Sequence, residues 1–126
     1  MTRRATILSV VAACVVATSA AAGGKAATTL HFTHVIPAGP DGSYFEGSIE
    51  SSKKACKNDR KVAVLRRKNK GNERIGTTRS EKNASLGYKW VLETSEPLEN
   101  GTYFAKAPAT GACKADKSPD VRYPPT

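Results

Sequence analysis

Tyr88-Lys89-Trp90-Val91-Leu92-Glu93 alternates: Tyr88, Trp90 and Leu92 fall on one side, and Lys89, Val91 and Glu93 on the other. Successive side chains of a strand leave on opposite faces, so a period of two reads as a half-buried strand and not as a helix. Gly87 precedes the run, and Pro97 to Gly101 supplies turn-formers after it. Trp90, flanked on its own face by apolar partners, is the expected centre of a core, because an aromatic of that size dominates the buried area of a small domain. Its other reading, a sugar-stacking platform, requires the ring to be exposed.

The same period recurs on both sides of this run. Thr29 to Ile36 alternates until Pro37-Ala38-Gly39-Pro40-Asp41-Gly42 breaks it, and Ser43 to Ser51 places Phe45, Gly47 and Ile49 on one face. Lys61 to Arg67 sends Val62 and Val64 inward, and Lys68-Asn69-Lys70-Gly71-Asn72 is a polar turn. Glu73 to Thr78 places Ile75 and Thr77 together, Arg79 to Leu86 reads as a loop, and Thr102 to Ala107 offers Tyr103, Ala105 and Ala107. Val121-Arg122-Tyr123 is a last short strand, stopped by Pro124-Pro125. Beyond residue 22 no stretch has apolar residues at helical spacing. About seven short strands separated by turns predict an all-β, antiparallel, Ig-like sandwich. Its expected core is thin: Phe45, Ile49, Val62, Val64, Ile75, Trp90, Leu92 and Tyr103.

The start of the chain has a different character. Arg3 and Arg4 precede an uncharged run from Ala5 to Thr18, and Ser19-Ala20-Ala21-Ala22 follows. A basic n-region, an apolar h-region and an A-x-A-like exit predict a secretory signal peptide over residues 1–22, cut after Ala22. The run is too short and too alanine-rich for a transmembrane helix of about 20 apolar residues. Val11-Ala12-Ala13-Cys14 also resembles a lipobox, which makes a lipid anchor on Cys14 the second reading. Apolar residues continue through Val15-Val16-Ala17, which argues against that reading. The expected organisation is therefore a signal over 1–22, an N-terminal strand and Pro/Gly-rich turn over 23–42, and the sandwich over 43–126, with no membrane span after cleavage.

Export gives the cysteines their meaning. Cys56 and Cys113 are the two that remain, and an oxidising compartment predicts one disulfide between them. A bridge closing so long a loop is worth about 4 kcal/mol on the chain-entropy account. For a domain whose whole margin is about 5–10 kcal/mol, that decides whether it folds.

The order Gly47-Ser48-Ile49, Lys61-Val62-Ala63-Val64, Gly76-Thr77-Thr78, Gly87-Tyr88-Lys89-Trp90 and Asn100-Gly101-Thr102-Tyr103-Phe104-Ala105 resembles the transthyretin-like sandwich of carboxypeptidase regulatory-like domains. It is similar in particular to exported bacterial proteins carrying a matching cysteine pair. The resemblance spans roughly residues 43–117 and implies a fold together with an accessory or adhesive role, not a reaction.

Catalysis is not expected. His31 and His34 lie three apart, which on a strand throws them to opposite faces, away from a shared metal or nucleophile. Glu46 and Glu50 share a face but stand about 13 Å apart along the strand, too far for a retaining glycosidase pair. No phosphate-cradling glycine loop is present, and no cofactor is expected. Asn83-Ala84-Ser85 and Asn100-Gly101-Thr102 match the N-glycosylation rule and are expected in turns.

Charge is the strongest functional signal. The chain carries +9, and residues 52–92 hold thirteen Lys/Arg against three acids, Asp59, Glu73 and Glu81. Arg66, Arg67, Lys68 and Lys70 form the densest cluster and are the expected contacts for an anionic polysaccharide or cell-wall polymer. Nucleic acid fits least, since no recognition motif accompanies the charge. The bland alternative is a solvated face that keeps the protein soluble. The expected function is a secreted, non-enzymatic binding or structural module. A secreted inhibitor or effector docking a protein partner through its loops is the alternative, and a small secreted hydrolase is disfavoured.

Overall fold

Nine strands and one 3-10 turn are found in the computed structural model, which describes residues 24–85 and 87–125. The expected signal, including Cys14, lies outside the described residues. The strands are β1 (Thr28–Pro37), β2 (Ser43–Ser51), β3 (Lys61–Arg67), β4 (Asn72–Arg79) and β5 (Glu81–Asn83), then β6 (Gly87–Thr94), β7 (Gly101–Ala107), β8 (Asp116–Lys117) and β9 (Val121–Tyr123). All strand pairs are antiparallel. The first sheet runs β1-β2-β6-β5. The second runs β4-β3-β7-β8, with β9 continuing the β8 side of β7. The protein is an all-β sandwich.

Seven of these strands are the alternating segments of the sequence. The two additions are short. β5 falls inside the segment read as a loop, and β8 spans two residues. Glu81-Lys82-Asn83 and Asp116-Lys117 hold no apolar residue to mark a face; they form strands because β6 and β7 present free edges to pair with.

Two bulges shift the phase of the alternation. In β1 the register passes from Phe32↔Gly47 to His34↔Glu46, leaving Thr33 unpaired. A bulged residue reverses the facing of everything after it. His31 and His34 therefore both point outward, correcting the expectation of opposite faces, and Val35 joins the core. In β4 the register skips from Gly76 to Arg74 opposite Val64 and Leu65, so Ile75 is the extra residue. Ile75 still packs on the core, but Thr77 is exposed and Thr78 is the partly buried one.

The core is larger than the thin one expected, because β1 adds Leu30, Phe32 and Val35. Trp90 is fully buried at its centre, packed edge-on against Phe32 at 5.1 Å. Its Nε1–H donates to the His31 carbonyl at 3.1 Å, which satisfies the one polar atom of the ring. This burial removes Trp90 as a sugar platform. Gly47 makes the arrangement possible: a Cβ there would stand 2.0 Å from the His31 oxygen and 2.5 Å from Trp90 Cζ2.

Cys56 and Cys113 form the expected disulfide, both sulfurs buried. The bridge ties the 3-10 turn (Lys54–Cys56) to a segment that pairs with Ala26 through Ala26 N–H to Ala112 O and Lys114 N–H to Ala26 O. Beside it lies Arg60, only 3% exposed. Its guanidinium donates to Thr28 Oγ1, Cys56 O, Pro108 O and Lys114 O at 2.8–3.0 Å. Four acceptors from three segments (β1, the 3-10 turn and the β7–β8 connection) thus converge on one side chain. No helix among the described residues is long and apolar enough to cross a membrane.

Candidate polyanion-binding face

The outer face of the second sheet follows from the alternation of β3 and β7. Val62 and Val64 point inward with Tyr103, Ala105 and Ala107, so Lys61, Ala63, Leu65 and Arg67 point outward with Thr102, Phe104 and Lys106. Register then sets the neighbours. Arg79 lies opposite Lys61, Arg74 opposite Leu65, Lys117 opposite Lys106 and Arg122 opposite Thr102. Seven cations from five strands share one sheet face: Lys61, Arg67, Arg74, Arg79, Lys106, Lys117 and Arg122. Strands stand about 4.8 Å apart and same-face residues about 7 Å apart along a strand, so the grid covers roughly 15 by 20 Å.

Few acids answer this charge. Arg67 pairs with Asp120, and Arg79 lies 3.6 Å from the Asp59 carboxylate. Among the described residues no acid forms an ion pair with Lys61, Arg74, Lys106, Lys117 or Arg122. Lys106 and Lys117 are direct cross-strand partners. Like charges placed opposite each other destabilise a sheet, so this pair carries a cost that a bound anion would remove. The one aromatic of the face, Phe104, is 2% exposed because Arg67 and Lys117 lie over its ring, at 4.4 Å and 5.7 Å from its centroid. Among the described residues this cationic face exposes no ring, so it offers charge and spacing and no platform for stacking bases.

The four residues expected from the sequence do not share one face. Arg66 shares the inward phase of Val62 and Val64, and its side chain is 11% exposed. Its guanidinium donates to Glu73 at 2.7 Å and Glu99 at 2.5 Å, and these carboxylates hold it fully protonated. The same pairing draws Glu73 below the usual carboxylate range. Beside this pair the buried Tyr103 hydroxyl donates to Glu99 O at 2.5 Å, and burial pushes it up. Arg67 alone of the four joins the outer face. Lys68 reaches Glu73 at 3.5 Å, and Lys70 is exposed at the tip of the turn that Gly71 closes with φ +74°.

Lys106, Lys117 and Arg122 lie outside the basic stretch of the sequence, and only strand pairing brings them to Lys61, Arg67 and Arg74. Conversely, several cations of that stretch are dispersed: Arg60 is buried, and Lys89 belongs to the first sheet. Asn83 ends β5, and Asn100 lies in the turn before β7.

A second polar cluster occupies the outer face of the first sheet. The Glu46 carboxylate, 13% exposed, accepts from Lys89 and from the Tyr44 hydroxyl at 3.1 Å, and His34 Nδ1 lies 3.3 Å away. His31 stands 3.6 Å from Glu50 on the same face. Lys89, with help from Tyr44 and against desolvation, holds Glu46 below its usual range, and Glu46 raises Lys89 in turn. Both groups therefore stay charged near neutral pH and exchange no proton there. They form a cross-strand ion pair between β2 and β6. No group of three His, Cys, Asp or Glu able to hold a metal occurs among the described residues. The comparisons are silent: no protein-family model, curated protein or solved structure matches this chain.

Proposed function

We propose that this chain is a secreted, non-enzymatic sandwich module of transthyretin-like type that holds an anionic polysaccharide on the outer face of its second sheet. One observation carries the reading: cations from five strands converge on that face with two carboxylate partners among them. Secretion is supported by the signal-like start of the sequence and by the compatibility of the Cys56–Cys113 bridge with an extracellular protein. Arg67 stays in the proposed contact set and Lys70 stands at its rim. Arg66 leaves it, because both of its hydrogen-bonding edges are taken by carboxylates. Lys61, Arg74, Lys106, Lys117 and Arg122 take its place.

Binding of this kind is read from its dependence on salt. Exposed charges are screened over about 10 Å at 0.1 M ionic strength, so retention on immobilised heparin or polygalacturonate should fall steeply between about 0.05 and 0.5 M NaCl. Lys106→Glu with Lys117→Glu should abolish retention at about 0.15 M salt, where the protein is screened over about 8 Å. Lys53→Glu with Lys54→Glu, the same change in net charge away from the face, should weaken it only slightly. Equal loss from both pairs would mean that net charge, not the face, does the binding. Retention that persisted through high salt would point instead to a protein-type interface.

A further inference from the structure

We infer that Arg67, stacked on Phe104, is the anchoring subsite of this face, and that Asp120 is a built-in competitor occupying it until a ligand oxyanion takes its place. The proposal rests on the reading of the face as a polysaccharide surface. The Arg67 guanidinium carbon stands 4.4 Å over the Phe104 centroid, which fixes the plane of the fork. One edge of that fork meets Asp120: Nε donates to both carboxylate oxygens at 3.0 Å, and Nη2 to Oδ1 at 2.9 Å. An edge-on guanidinium held by stacking suits any group that offers two anionic oxygens, whether a uronate carboxylate or a sulfate ester.

Asp120 is delivered by a short tether. Ser118 is anchored on Ala105 by two hydrogen bonds of 2.8 Å, N–H to O and N–H to Oγ, and Pro119 follows it. Tethering gives the carboxylate a high local concentration at the fork. Yet Arg67 and Asp120 are 40% and 47% exposed, so the pair faces water and is screened by it. It is held closely enough to compete and weakly enough to yield. Lys117 lies over the same ring at 5.7 Å, and Arg122 donates to Thr102 Oγ1 beside it. An incoming oxyanion therefore meets cations on both sides of the one carboxylate it must displace. When it binds, both Arg67 donors pass to the ligand and Asp120 turns to solvent.

The test is the affinity of the purified protein for heparin oligosaccharides and for oligogalacturonate at fixed salt. If Asp120 holds the fork about 80–90% of the time, Asp120→Asn should tighten binding about five- to ten-fold. Glu93→Gln, the same charge change on the other sheet, should tighten it less than about two-fold at a distance beyond the screening length. In an Arg67→Gln background the gain from Asp120→Asn should vanish. Thermal melting of each variant confirms that the fold is kept. A gain on oligogalacturonate assigns the subsite to carboxylates, and a gain on heparin alone assigns it to sulfate esters. Asp120→Asn behaving like Glu93→Gln, while the unmodified protein binds, overturns the competitor and leaves the polysaccharide face standing. Failure of every variant to bind either glycan overturns the face and the competitor together.

Discussion

A methyl group at position 47 has nowhere to go. Its nearest neighbours are the His31 carbonyl on one strand and the Trp90 ring on another, and both are fixed by the hydrogen bond they share. Gly47→Ala should destabilise the domain by about 3 kcal/mol, as overpacking in a rigid core does, read by denaturant unfolding. Arg60 is the second residue on which much depends. Its guanidinium satisfies four acceptors at once. Arg60→Met keeps most of the volume but leaves the buried Cys56 carbonyl and Thr28 hydroxyl without their donor, and should cost about 3–5 kcal/mol, more than a surface arginine by a wide margin. Trp90 was legible in the sequence as the core centre because its alternation partners are apolar. Arg60 was not, since no pattern marks a charged residue that will be buried among carbonyls contributed by distant segments. Arg66 was grouped with its charged neighbours in the sequence, but it continues the inward phase of Val62 and Val64, and its guanidinium meets Glu73 and Glu99.

At the level of elements, alternation located every strand long enough to show a period. β5 and β8 escaped because neither has an apolar residue to mark a face, whereas three-residue β9 sets Val121 and Tyr123 on either side of Arg122. The bulges at Thr33 and Ile75 escaped because an unpaired residue is selected by packing against the opposite sheet, which no local pattern encodes. The bulge in β1 matters chemically, since it brings His31 and His34 to the same face as Glu46 and Glu50. The β2–β6 ion pair makes a prediction with a definite sign. Glu46 is held below its usual range by Lys89, so it stabilises the fold above the unfolded carboxylate value and loses that contribution as pH falls through its lowered folded value. Glu46→Gln should therefore cost about 1–2 kcal/mol at pH 7, a gap that closes below about pH 4. Lys89 is raised by the same contact, so the gap should close again as pH climbs past its ordinary range near about 10.4.

Across the whole molecule, the sandwich does two things to the sequence. It staples the β2–β3 connection to the β7–β8 connection through Cys56–Cys113, which are 57 positions apart. Replacing both cysteines by serine should lower stability by about 2–4 kcal/mol, and reduction of the native protein should do the same. It also redistributes charge. The basic stretch visible in residues 52–92 is divided among a buried hub, an internal ion-pair cluster, a turn and both sheets. The face proposed to bind is assembled across β4, β3, β7, β8 and β9. Lys106 and Lys117 lie eleven positions apart in the sequence, and only the β7–β8 register makes them neighbours. That is why the charge was legible as a property of the chain but not as a surface.

The most direct test of that surface is amide chemical-shift mapping of the folded protein titrated with a heparin-derived oligosaccharide at low salt. Shifts concentrated at Ala63, Leu65, Thr102, Phe104, Lys106 and Lys117, fading as salt is raised, are the predicted result. Shifts gathered instead around Glu46, Ser48 and Val91 on the first sheet, or no saturable shift anywhere, would contradict it.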